Sequence, residues 1–444
     1  MKKIKILSAF FFVSISIPAQ EVAKNISLQE AIAYAIRNSY NTKIAANDIA
    51  SAKKRVWETT TIGLPQIDAK ADYQNWLQQQ VSLLPAEIFG GNAGEFAEVT
   101  FGTKQNLNAV ITLRQLIFDG SYLVGLQSAR TFLKISEQAK EKTDRGVREA
   151  VINAYGNVLI TEKSIEILEK NKKLLEKNLT EAQKIYENGL NEEEDVEQLE
   201  ITLGNINNQL NSVLRIKAIA YQMLNITLGN PITTKLNLTD TLDSLTEQNI
   251  DLNLISQSFD MENHIDFKIA KNNRESKRLL MRYEQSKSLP VLKAFINYGS
   301  TANSNSFTFF NSDQRWFNYS LLGVSLEVPI FSSLQRNSKT AQARIALETA
   351  DIQLEETKQE LNLQVQRTKS DYQLSIEDYK NAKKNVALAE RIEMKQRIKF
   401  FEGISSSFDL TQAQNQLYTQ QQRYIQSMLD LIAKKAALEN ALNN

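Results

Sequence analysis

The chain has 444 residues, and 52 Lys and Arg against 51 Asp and Glu leave a formal charge of +1, mixed along its length, which excludes an electrostatic nucleic-acid binder. With no cysteine and a single histidine, His264, it also excludes disulfides, thiol nucleophiles, thiolate metal sites and multi-histidine metal centres. The length allows two or three ordinary domains, but an internal duplication argues for one architecture built from two halves.

Residues 1–19 read as a secretory signal: Lys2, Lys3 and Lys5 precede an apolar run from Ile6 to Ile17, and Ala19 offers a cleavage point. No later apolar run reaches the roughly 18 residues of a membrane helix, so any membrane passage must be made by β-strands in a closed barrel, in a Gram-negative outer membrane. Ser27-Leu28-Gln29-Glu30 has the pattern of a capping box and opens an amphipathic helix expected to reach about Thr59. Gly63-Leu64-Pro65 ends it. Alternation of Ile67, Ala69, Ala71 and Tyr73 with Gln66, Asp68, Lys70, Asp72 and Gln74 then marks a strand over about 66–77 with one polar face. Residues 78–104, with Pro85, Gly90, Gly91, Gly94 and Gly102, read as a loop. A second strand over about 105–118 alternates Leu107, Ala109, Ile111 and Leu113 with Asn106, Asn108, Thr112 and Arg114.

Proline is absent from 86–230 and from 330–444, and Gly403 is the one glycine after Gly323, so both stretches suit long helices. Helices are expected over about 121–187, then beyond Gly189, with apolar residues spaced as in an antiparallel coiled-coil hairpin (Leu168, Leu175, Leu179, Ala182, then Val196, Leu199, Leu203, Ile206). Residues 231–261 break the pattern and read as an insertion at mid-height. A helix over about 262–288 follows, and His264, in the polar run Glu262-Asn263-His264, reads as solvated. Strands over about 291–299 and 319–330, separated by an aromatic loop, lead to helices over about 333–401 and 406–442.

The halves, 20–230 and 262–444, repeat each other. From Phe118 to Gly189 is 71 residues and from Phe331 to Gly403 is 72. In both, an aspartate follows the glycine by six positions (Asp195, Asp409) and a glutamine follows by nine (Gln198, Gln412). The expected fold is therefore mostly α with membrane β: duplicated long coiled-coil helices and four strands per chain. Four strands cannot close a barrel, and open edges are not tolerated in hydrocarbon, so several chains must share one, with polar faces to water and apolar faces to lipid.

Four features together resemble the TolC-like outer-membrane efflux protein family: Ser27 to Ala35 opening the first helix, the junction Leu116-Ile117-Phe118-Asp119-Gly120 with its copy Pro329-Ile330-Phe331, the two glycine-to-aspartate tips, and the near-equal lengths. The resemblance covers nearly all of the chain after the signal. It implies a homotrimer with a twelve-stranded transmembrane β-barrel in outer-membrane lipid and a helical tunnel in the periplasm. The implied function is the passive exit duct of tripartite efflux or type I secretion, with a periplasmic adaptor (membrane fusion) protein and an inner-membrane pump as partners. It implies no enzyme activity, no cofactor and no metal. By position it makes Asp195, Phe400, Ser405, Asp409 and Gln412 gate or pore candidates, and Gly189, Leu190, Gly403 and Ile404 the adaptor-docking tips. The chain departs from the family at Tyr40, often proline, at Ser332-Ser333, elsewhere Asp-Gly, and at Phe400, Ser405 and Gln412, elsewhere tyrosine, arginine and aspartate. A plainer reading makes Glu192, Glu193, Glu194 and Asp195 dipole-stabilising residues at a helix start, with Asn191 or Ser405 as caps.

Two other classes compete. A periplasmic coiled-coil scaffold without a pore accounts for the helices but not for alternating segments at matching points of both halves. An enzyme finds no support: Gly90-Gly91-Asn92-Ala93-Gly94 lacks the lysine of a phosphate loop, and neither His-Glu-x-x-His nor Gly-x-Ser-x-Gly occurs.

Overall fold

A computed structural model describes residues 24–190 and 192–443. The signal-peptide expectation for 1–19 and the cap reading of Asn191 lie outside the described residues. Two compact units are present: one takes residues from 1–44, 143–260 and 361–444, the other from 45–142 and 261–360. Each draws on both repeats, because strands and helices of the two halves pair with each other.

The second unit holds the main sheet. Strand β1 (Lys24–Ile26) and helix α1 (Leu28–Asn38) precede it in the chain, and α2 (Tyr40–Thr61) leads into β2 (Gln66–Asn75). The single helix expected up to Thr59 is thus broken at Ser39. Its backbone is extended (φ −59°, ψ 151°), and its hydroxyl accepts the Thr42 N–H at 3.3 Å, so Ser39 ends one helix and caps the next. The expected loop 78–104 contains a correction as well: β3 (Val81–Pro85) and β4 (Phe96–Thr100) form a two-stranded hairpin of their own. Strand β5 (Gln105–Asp119) follows and runs directly into helix α3 (Gly120–Glu187). The Asp119 carboxylate makes that junction, accepting from the Ser121 N–H at 2.7 Å and the Tyr122 N–H at 3.3 Å.

The second hairpin partner is α4 (Glu193–Leu228). Next come β6 (Leu236–Leu238), α5 (Leu242–Gln248), α6 (Asn253–Ser256) and α7 (Ile265–Ser286). His264 is buried, correcting its solvated reading. Its Nδ1 accepts the Asp266 N–H at 3.2 Å and so caps α7. The second repeat then gives β7 (Val291–Ser304), β8 (Trp316–Glu327), α8 (Gln335–Phe401) and α9 (Ser407–Leu442). Where Asp119-Gly120 caps the first long helix, the second junction has two left-handed non-glycine residues, Ser333 (φ 48°) and Leu334 (φ 63°).

In the main sheet the strands lie in the order β2-β5-β7-β8, all antiparallel, so the pairs from the two repeats meet through β5 and β7. The register puts Asp68, Lys70, Thr112, Arg114, Lys293, Asn297 and Ser325 on one face, and Ile67, Ala69, Ile111, Leu113, Ile296, Leu322 and Val324 on the other. Aromatic rings fill the polar face where glycine leaves room. A Cβ on Gly299 would stand 2.4 Å from the Tyr319 ring, and one on Gly323 would stand 2.3 Å from the Phe295 ring.

The first unit is a helical bundle. Its core is formed by Val151, Tyr155 and Val158 of α3, Leu224 and Leu228 of α4, Tyr372 and Ile376 of α8, and Ile425, Met428 and Leu431 of α9. The 231–261 segment packs onto this core through Leu236, Leu242, Leu245 and Leu254, and β6 pairs in parallel with β1. Polar contacts fasten it. Tyr155 donates to Asp240 Oδ2 at 2.9 Å, and Tyr372 donates to the Asn249 carbonyl at 2.6 Å while accepting the Asp251 N–H at 2.8 Å.

Candidate functional site: hairpin tips and sheet faces

Both helical hairpins turn by the same mechanism. At the first, the Gly189 N–H donates to the Tyr186 carbonyl at 2.7 Å and the Leu190 N–H to the Ile185 carbonyl at 3.1 Å, with Gly189 at φ 74°. At the second, the Gly403 N–H donates to the Phe400 carbonyl at 3.0 Å and the Ile404 N–H to the Lys399 carbonyl at 2.8 Å, with Gly403 at φ 70°. Each is a Schellman turn, in which a left-handed glycine satisfies the last carbonyls of the incoming helix. Both turns leave an aliphatic side chain in solvent, Leu190 at 77 % and Ile404 at 73 % relative exposure.

The helices that leave the turns start differently. Ser406, not Ser405, caps α9: its hydroxyl accepts the Asp409 N–H at 3.3 Å and donates to Asp409 Oδ2 at 3.2 Å. Ser-x-x-Asp from Ser406 to Asp409 was the signal for this in the chain. Glu192 stands at the equivalent cap of α4 and offers no side-chain bond, so Asp195 is released from the reciprocal role that Asp409 fills. Asp195 Oδ1 instead accepts the N–H of Ser407, the first residue of α9, at 3.2 Å. One tip thereby caps the helix of the other, a contact that sequence reasoning missed because its partners are 212 residues apart.

The remaining candidates separate by burial. Phe400 is 3 % exposed and packs with Ala182, Leu199 and Leu410, so its ring belongs to the tip's interior. Gln412 and Asp409 are exposed, and Ser405 is half-buried. The structure therefore brings Asp195 to the start of α9, leaves Asp409 and Gln412 on the surface and turns Phe400 inward. No group of three or more Asp, Glu or His residues arranged to hold a metal occurs among the described residues.

In the main sheet of the other unit, Arg114 pairs with Asp68 on the polar face, and Lys70 lies 2.8 Å from Asp72. Tyr319 donates to Asn108 Oδ1 at 3.1 Å on the same face. A cavity of about 410 Å³ in the helical unit, near Arg148, Asp240 and Glu439, is crossed by an Arg148–Glu439 ion pair at 2.7 Å and is part of the insertion's packing. Among the described residues no helix is long and apolar enough to cross a membrane.

Residues 260–444 match the family model described as outer membrane efflux protein. In that segment the chain is similar to the outer membrane efflux protein family. Over 94 % of its length the chain shares its fold with solved channels. CusC, in structures reporting conformational changes that accompany folding and transmembrane channel formation, is 16 % identical with a TM-score of 0.73 over 94 % of this chain and 91 % of that one. VceC, an outer membrane protein of Vibrio cholerae, is 14 % identical with a TM-score of 0.70 over 94 % and 96 %. The open state of the Neisseria gonorrhoeae MtrE outer membrane channel is 15 % identical with a TM-score of 0.71 over 94 % and 89 %. No curated protein matches the chain in sequence.

Proposed function

We propose that this protein is the outer-membrane exit duct of a tripartite efflux or type I secretion system, a passive conduit gated at its helix tips. One observation carries the reading: a four-stranded sheet with one polar and one apolar face, and two unpaired edges, β2 and β8. An edge strand exposed to hydrocarbon leaves N–H and C=O groups without partners, so the sheet is usable in a membrane when further copies close it into a barrel. Three copies make twelve strands, the number that the family resemblance implies. An exposed stripe on α4 (Ile216, Ile219, Met223, Ile226), at helical spacing, supports the same self-association in the helical unit.

In this reading the halves 20–230 and 262–444 are structural repeats around the 231–261 insertion. The exposed tips Gly189-Leu190 and Gly403-Ile404 meet the periplasmic adaptor, and the pump supplies cargo specificity. Asp195 holds the tips of one protomer together, and Asp409, repeated around the assembly axis, forms a carboxylate ring that favours cations. Detergent-solubilised protein should be trimeric by light scattering and conduct in planar bilayers. A monomer that stays silent in lipid and leaves membranes with carbonate overturns the duct and favours the coiled-coil scaffold.

A further inference from the structure

Behind the tips, the four long helices are stacked in layers. The outermost layer is apolar: Ala182, Leu199, Phe400 and Leu410. Further in lie the buried Leu175, Ile206 and Leu417, each seven residues from that layer, and Ala389, eleven residues from Phe400. Between them along each helix come buried polar residues: Asn178 of α3, Thr202 of α4 and Gln414 of α9, three or four residues from the apolar layer, and Glu393 of α8, seven residues from Phe400.

The register of α3 against α9 is set at two points, by Ala182 packed with Leu410 and by Asn171 Nδ2 donating to Gln421 Oε1 at 2.8 Å. The span from Asn171 to Ala182 equals that from Gln421 back to Leu410, so Asn178 falls opposite Gln414. These two amides are 2 % and 1 % exposed, yet Asn178 Nδ2 and both polar atoms of Gln414 have no hydrogen-bond partner. Glu393 Oε1, on a side chain 3 % exposed, is unpartnered too. One rung of the ladder is made, at Asn171–Gln421, and the next one towards the tip is open. A buried polar atom left without a partner has lost its water and gained no bond in exchange, so these side chains weaken the packing behind the tips.

We propose that the buried polar band of Asn178, Thr202, Glu393 and Gln414 is the yielding joint of the tips, the stretch at which the last turns of the helices part from the bundle when the duct opens. The inference rests on the reading of the tips as a gate. It assigns Glu393 and Gln414 a positioning role away from the turns themselves. Parting admits water to all four side chains and removes their desolvation, which lowers the work an adaptor must do.

Burial pushes the Glu393 carboxyl above its ordinary range, and Arg397, one turn further along α8, opposes this in part. Tyr418 of α9 is the titratable group coupled to it, its phenol raised by burial and by the Glu393 charge. From α3 and α4 the band receives the neutral Asn178 and Thr202, while Lys177, Glu181 and Glu200 on those helices are exposed. A carboxyl whose packed-state pKa is raised favours packing in its neutral form. Packing is therefore strongest below the free-glutamate pKa of about 4.3 and weakens as pH rises towards the packed-state value.

The test is hydrogen exchange of the full-length protein in detergent, followed by mass spectrometry over 179–200 and 394–411, with conductance measured on the same samples. Glu393→Leu combined with Gln414→Leu should slow tip exchange at least tenfold and reduce channel opening. Glu393→Gln keeps the shape of the side chain, so it guards against misfolding of the double variant. It should abolish the rise in tip exchange with pH that remains in the native protein after correction for intrinsic rates. Unchanged exchange in the double leucine variant, or a native tip with no such rise, overturns the joint. The gate is judged separately: if Asp195→Ala and the leucine pair both leave conductance untouched while exchange slows in the latter, the joint stands and the gating reading falls.

Discussion

Asp195 Oδ1 lies 3.2 Å from the backbone nitrogen of Ser407, so a carboxylate from the first hairpin sits at the N-terminus of the helix that leaves the second. A negative charge there meets unsatisfied N–H groups and the positive end of the helix dipole. The two tips of one protomer are thereby coupled by a bond that neither turn needs for its own geometry.

Removing that bond should loosen the pair and spare each turn. Asp195→Ala loses a charge-assisted hydrogen bond that, half-exposed, is worth about 1 kcal/mol, or roughly a fivefold shift in equilibrium. Open probability in planar bilayers should rise by about that factor. Asp195→Asn, which keeps an acceptor without the charge, should fall between the two. No change in either variant places the coupling elsewhere.

Charge reversal at Asp409 tests the pore. The side chain is exposed and one of its oxygens takes the Ser406 hydroxyl, so the other is open to ions. Asp409→Lys should move the reversal potential in a salt gradient towards anion permeability. An unmoved potential removes Asp409 from the conduction path.

The turn glycines carry strain tests. Nothing stands within 4 Å of a Cβ built on Gly189 or Gly403, so a side chain there has room but meets the left-handed backbone. Gly403→Ala should cost about 1–2 kcal/mol and raise exchange at 399–407 about five- to thirtyfold. Gly403→Asn, better suited to that region, should cost less. Equal rates in both variants argue against a left-handed residue at the turn.

In the sheet, Gly323→Ala should push the Phe295 ring off its strand neighbour, because the new methyl carbon would stand 2.3 Å from the ring. The oligomer should then dissociate at a lower temperature on semi-native gels. Adding Phe295→Ala in the same chain should return that temperature most of the way. A single variant as heat-stable as the parent shows that the ring has somewhere else to go.

The pH behaviour of the insertion follows from Tyr155. Burial and the Asp240 carboxylate both raise its phenol far above the ordinary tyrosine value, so it stays protonated and donates to Asp240 Oδ2 and the Ile26 carbonyl through any usable alkaline range. A raised pKa means that the bond is intact below the free tyrosine pKa and fails as pH climbs through the raised one. Tyr155→Phe should expose 231–261 to protease at neutral pH, at a rate the native protein reaches only in strong base. Equal cleavage of both proteins at neutral pH removes Tyr155 as the clasp.

Much of the molecule was legible along the chain because its signals are local. The alternation in 66–74 and 106–114 gave strands with the right faces, and the matching glycines at 189 and 403 gave the turns. Errors were local too. Ser39 carries a hydroxyl that caps its own following turn, which outweighed the helical spacing around it. Ser406 took the cap assigned to its neighbour Ser405, since only Ser406 stands three residues before Asp409. His264, read as solvated from its polar neighbours, is drawn inside as a helix cap because an N-cap position needs an acceptor and the imidazole supplies one.

Periodicity, turn residues and equal repeat lengths alone determined that this chain makes paired strands and long helical hairpins twice over, because those preferences act between residues a few positions apart. Which strands are neighbours, that Asp195 reaches Ser407, and that Asn171 finds Gln421 while Asn178 and Gln414 face each other unbonded were decided only in the tertiary structure. Those meetings depend on the register and rotation of whole helices packed against one another. Two side chains more than two hundred residues apart carry no local mark of whether their rotamers will bring a donor to an acceptor.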